Sequence, residues 1–180
     1  MSPGAHTAQA TPTVGVDPGG RTTGVVLVDQ GGALLAHAQL TRKERVGDGS
    51  VSVAYVDRVI GACRRLVDEC AAAGEGAPLV AVEDVRRPVP QAGSRPTNPA
   101  GIIAASWVAG AVIEWARAAG LVVDVVEPAG HGAQTAAAYP AALRRHERSA
   151  WDVAMTARLP LRRHLHHAAR HLPGGATESA

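Results

Sequence analysis

The stretch Val14–Asp29, "VGVDPGGRTTGVVLVD", decides the fold. Two apolar runs flank "DPGG", which reverses a chain sharply because proline presets its φ and glycine turns where other residues resist. The runs therefore read as adjacent antiparallel strands, "TVGVD" and "RTTGVVLVD". A second glycine pair, Gly31–Gly32, leads into "ALLAHAQL" (33–40), a third strand, and the three make an antiparallel meander. At the end of the first run stands a single acid, Asp17. It is either a turn residue, for which Asp-Pro-Gly-Gly is well suited, or a carboxylate held at the strand's edge for chemistry.

Downstream the pattern changes to alternating helices and strands. From Val51 to about Ala73, Val56, Val59, Ile60, Cys63, Leu66, Val67 and Cys70 recur at helical spacing, with Arg58, Arg64, Arg65, Asp68 and Glu69 mostly on the other side. "PLVAVEDV" (78–85) is apolar up to Glu83, as expected of a central parallel strand covered on both faces. The proline-rich stretch 86–99 is a long loop. Asn98–Pro99 then opens a helix running to about Ala119, apolar nearly all round and so expected to be largely buried, with Trp107 and Trp115 in the core. "LVVDVVEP" (121–128) is a fifth strand, and a last helix is expected over about Arg148–Leu159, before Pro160. The order β-β-β-α-β-α-β-α predicts an α/β fold: a mixed five-stranded sheet, three strands antiparallel and two parallel, flanked by helices. Residues 1–12 read as a flexible leader, 13–159 as one domain and 160–180 as an Arg/His-rich extension.

Composition narrows the function classes. The chain has 180 residues, 46% apolar, enough for one well-packed domain. It contains no Phe, and its only lysine is Lys43. A net charge of +2 does not by itself announce nucleic-acid binding, yet seven Arg and five His lie between Arg144 and His171 against only Glu147 and Asp152. Cys63 and Cys70, about 10 Å apart along a helix, are too distant for a disulfide. The first residues lack a basic and an apolar secretory region, and the longest apolar run falls short of a bilayer span, so a cytoplasmic protein without membrane contact is expected.

Three acids occupy matching places. Asp17 follows "VGV" at the end of the first strand, and Glu83 follows "VAV" at the end of the fourth. Asp152 lies on the last helix, between Trp151 and Val153. If the two strands are neighbours and that helix packs on them, three carboxylates converge. Like charges at such a site raise each other's pKa, and hard oxygen ligands favour Mg²⁺ or Mn²⁺. Two such ions would clamp a scissile phosphate and activate a water.

These residues resemble the motifs of the RuvC-like Holliday junction resolvases, in the RNase H-like superfamily. Asp17, Pro18, Gly19, Arg21, Thr23 and Gly24 match the first motif, Glu83 in "VAVEDV" the second, and Asp152 in "HERSAWDVAMTARL" the last. The resemblance covers residues 13–159. It implies an RNase H-like sheet and a homodimeric, Mg²⁺-dependent endonuclease (two ions per site, Mn²⁺ as a substitute) that cuts branched DNA, above all four-way junctions. Asp17 would bridge the metals, with Glu83 and Asp152 on either side. The family's further ligand, one turn before the last Asp, falls here on Ser149, and His146, at the helix start, is the candidate in its place. Arg21, Arg86, Arg87 and Arg95 are the candidate phosphate contacts. No aromatic residue follows Glu83, and the family's lysine-bearing stretch before the last helix is not recognisable. Two other classes remain open: a non-catalytic relative that binds branched nucleic acid, and a nucleotide-binding fold of the actin and sugar-kinase type, which would need a second phosphate loop and about twice the length.

Overall fold

The computed structural model describes residues 11–43, 49–85, 99–127 and 139–158. Strands β1 (Thr13–Asp17), β2 (Thr22–Val28) and β3 (Leu34–Thr41) precede helix α1 (Val53–Ala72); β4 (Leu79–Glu83), α2 (Pro99–Ala118), β5 (Val123–Val126) and α3 (Arg145–Ala157) follow. The sheet order is β3-β2-β1-β4-β5. β1 pairs antiparallel with β2 and parallel with β4, β2 pairs antiparallel with β3, and β4 pairs parallel with β5. The expected meander and parallel pair are both present, and β1 is central.

Strand alternation sends successive side chains to opposite faces, which assigns each face its layer. Val14 and Val16 of β1 and Val80 and Val82 of β4 share a core with Tyr55, Val59, Cys63 and Leu66 of α1 and Val108 and Val112 of α2. On the other face Leu79, Ala81 and Val126 pack against Val153 and Ala157 of α3, while Val26 and Val28 meet Ala150, Trp151 and Ala154. The core is nearly all aliphatic, as a chain without Phe requires. Cys63 and Cys70 are free thiols inside it, and burial pushes the Cys63 thiol up to about 12, leaving it unreactive.

Two expectations about helices are corrected. α2 is not buried all round. One side faces the core, but Ile103 is 50% and Trp107 68% exposed; Trp115 alone of the two tryptophans packs against the core. A helix layered on one face of a sheet has only one side to bury, whatever its composition. α3 begins at Arg145 rather than Arg148. Its first turn is held by Glu147, which accepts a hydrogen bond from the Arg144 backbone N–H at 2.7 Å and also meets His37 Nδ1 of β3 at 2.8 Å. An arginine ahead of the helix carries no capping signature, which hid those three residues.

Glycine sets how close α3 lies to the sheet. A Cβ at Gly15 would overlap the Ala150 carbonyl and come within 2.8 Å of Ala154 Cβ; one at Gly24 would overlap the His146 carbonyl. Gly24→Ala is therefore expected to push the first turn of α3 outward and to cost about 1–3 kcal/mol, the usual penalty of overpacking. Gly61→Ala, on α1, meets nothing nearer than the tip of Arg65 at 4.0 Å and is expected to be neutral or to stabilise by up to about 1 kcal/mol. Urea denaturation of the two variants distinguishes a demanded glycine from a tolerated one.

Candidate functional site

Asp17 ends β1 opposite Gly24 of β2. The last register pair between β1 and β4 is Val16 with Val82, so one further step sets Asp17 beside Glu83. Alternation puts both on the α3 face, since Gly15 and Ala81, two residues back on each strand, lie under α3. The expected pairing of the two strand-end carboxylates is thus present. Because Gly24 has no side chain, the first turn of α3 settles next to Asp17. His146, the second residue of that helix, places Nδ1 2.9 Å from Asp17 Oδ2. Its position inside the helix, facing the sheet, replaces the cap position expected for it.

Asp17 is buried, and burial pushes its carboxyl from 3.8 up to about 6; the hydrogen bond with His146 pulls the other way, and the Glu83 charge adds to the rise. The turn that carries it is tied down from below. Tyr55, fully buried in the first turn of α1, has its hydroxyl 2.9 Å from Thr23 Oγ1 and donates to the Gly19 carbonyl at 3.2 Å. Thr23 Oγ1 in turn accepts from the Gly19 N–H at 3.2 Å. No local pattern marks Tyr55, because its partners Thr23 and Gly19 lie more than 30 residues earlier in the chain.

Asp152 is buried on α3 and takes the Tyr139 hydroxyl as a partner. Ala150 and Ala154 face Gly15, and Val153 and Ala157 face β4 and β5. At about 100° per residue, the Asp152 side chain leaves the helix on its far flank. There it is buried and accepts a hydrogen bond from the Tyr139 hydroxyl at 2.6 Å. The Arg148 guanidinium lies 5.6 Å from the centre of the Tyr139 ring. Asp152 thus ties the chain ahead of α3 to the back of the helix. The spacing of six between His146 and Asp152 allows only one of them to face the sheet, and His146 does. Ser149, one turn beyond His146, lies on the same side of the helix.

The residues gathered at Asp17 are two carboxylates and one imidazole. Hard oxygens with a single nitrogen suit Mg²⁺ or Mn²⁺ as a donor set. Among the described residues, however, no three His, Cys, Asp or Glu side chains form a ready metal cradle. His146 Nδ1 engages Asp17 Oδ2 directly. Arg21, directly after the turn, is exposed. Arg86, Arg87 and Arg95 lie outside the described residues.

No protein-family model matches the chain, and no curated protein matches it either. Two solved structures share its architecture. Thermus thermophilus RuvC in complex with a Holliday junction substrate superimposes with a TM-score of 0.55 at 19% identity, covering 89% of this chain and 96% of that one. Another T. thermophilus RuvC structure gives 0.51 at 20% identity, covering 81% of this chain and 92% of that one. The likeness is one of fold: the mixed five-stranded sheet with its flanking helices is RNase H-like.

The raised Asp17 carboxyl gives a stability signature. The folded protein keeps the Asp17 proton up to about pH 6, whereas the unfolded chain releases it near 3.8. The stabilisation is complete below the unfolded value and lost as pH rises through the folded one, worth at most about 3 kcal/mol. In metal-free buffer, Asp17→Asn is expected to be more stable than the parent at pH 7.5 by about 1–3 kcal/mol and to lose that advantage at pH 4. Urea titrations at both pH values read the difference.

Proposed function

We propose that the chain is a structure-selective DNA endonuclease that cuts branched DNA, with four-way junctions as the preferred substrate, by metal-dependent phosphodiester hydrolysis. The observation that carries this reading is the placement of Asp17: a buried carboxyl, raised to about 6, between Glu83 and His146 at the edge of the central strand. Such a group is costly to fold around, and two adjacent carboxylates are relieved most directly by a cation. The RNase H-like architecture supports the same reading.

In this mechanism Asp17 and Glu83 hold a divalent ion from the sheet, and His146 supplies a nitrogen from α3. When bound, the ion polarises the scissile phosphate and lowers the pKa of the attacking water. Asp17 is kept in register by the Tyr55–Thr23–Gly19 hydrogen bonds, so its carboxylate does not have to be reorganised as the reaction proceeds. The two-ion site implied by the family resemblance needs a further ligand. Ser149, one helical turn beyond His146, would offer one. Arg21 contacts a phosphate from the rim of the turn. Paired nicks on opposite strands need two such sites, so the proposal includes a homodimer.

A second reading has its own support. With Asp152 committed to Tyr139 and no ready metal cradle among the described residues, the chain would bind branched DNA without cutting it. Incubation with four-way, forked and linear DNA, with and without Mg²⁺ or Mn²⁺, separates the two. The nuclease reading expects metal-dependent cleavage of branched substrates. It also expects Asp17→Asn to lower the rate on the order of 10²–10³-fold while junction binding in Ca²⁺ persists. Binding without cleavage in either metal would establish the second reading.

A further inference from the structure

The rim of the sheet beside Asp17 carries exposed basic residues on its β2–β3 side. On the β2–β3 side, Arg21 follows the turn, and its carbonyl accepts a hydrogen bond from Arg42 N–H at 2.8 Å, which sets exposed Lys43 one residue further along the same rim. Arg58 of α1 reaches up to the Thr41 carbonyl at the end of β3, its Nη2 at 3.3 Å. From the other face, exposed Arg144 and Arg145 sit at the start of α3, directly before His146, whose carbonyl covers Gly24 of β2. Across these rim segments the one exposed acid among the described residues is Asp57, beside Arg58.

None of Arg21, Lys43 and Arg145 forms an ion pair with another described residue. Their charges face solvent, where they would otherwise repel one another. From β1 to β3 the rim spans two strand spacings, about 10 Å. That is the length of about three nucleotides of one strand at 3.4 Å of axis each.

Building on the nuclease reading, we infer that the DNA strand is seated on the β2–β3 half of the rim. Its phosphates are held by Arg21 and Lys43 from the sheet edge and by Arg144 and Arg145 from α3 as it crosses Asp17. The two pairs lie on opposite sides of the strand's path, so they act as a clamp that orients the backbone toward Asp17. This assigns a positioning role to the start of α3 in addition to the delivery of His146.

The test is the salt dependence of binding to a four-way DNA junction in Ca²⁺. It compares the parent chain, Arg21→Gln/Lys43→Gln, Arg144→Gln/Arg145→Gln, and a control, Arg64→Gln/Arg65→Gln, which removes two exposed charges from the middle of α1. Circular dichroism melts confirm that each variant is folded. Each rim pair is expected to flatten the plot of log affinity against log salt by about 1–2 in slope, and the control to leave it unchanged. Salt-dependent binding that the rim pairs leave intact, or that the control weakens equally, overturns the seating while leaving the nuclease reading in place. A parent chain that binds neither four-way, forked nor linear DNA overturns both.

Discussion

The close approach of α3 to the sheet is the constraint on which the rest depends. Helices usually rest on side chains; here the first two turns of α3 rest on backbone, because Gly15 and Gly24 leave no Cβ beneath the Ala150 and His146 carbonyls. That contact places His146 Nδ1 against Asp17 Oδ2. Glu147, the next residue, fixes the same turn from the β3 side through His37 and the Arg144 N–H. Consecutive residues thus point to two strands of one sheet, and the helix has no freedom to rotate without breaking one pair or the other.

The site itself is built against stability. A carboxylate at the end of a wholly buried strand, next to a second carboxylate, opposes folding at neutral pH, and the histidine offsets only part of that cost. The hydrogen bonds of Tyr55 and Thr23 keep the turn from relaxing to expose Asp17. A buried carboxyl perturbed in this way is characteristic of sites poised for chemistry.

Much of this was legible in the sequence, and the rest failed for identifiable reasons. The glycine turns and the "VGVD" and "VAVED" runs carry the meander, the parallel pair and the adjacency of Asp17 and Glu83, because strand alternation is strict. Asp152 is buried, but its partner Tyr139 was not legible. Its apolar neighbours suggested a core-facing acid, but a helix start set three residues too late made its orientation hard to judge, and burial under Tyr139 looks the same in sequence as burial against the sheet. Trp107 was misplaced because composition alone does not say how much of a helix a single sheet face can cover. Tyr55, His37 and Tyr139 act through long-range contacts that leave no local pattern.

The central proposal is that Asp17, Glu83 and His146 would hold a divalent ion while Asp152 keeps its bond to Tyr139. Calorimetric titration of Mn²⁺ into the parent chain, Glu83→Gln, His146→Ala and Asp152→Asn tests it without DNA or turnover. Binding that weakens at least about tenfold in the first two variants and persists in a folded Asp152→Asn is the predicted result. Loss of binding in Asp152→Asn with retention in His146→Ala would contradict it.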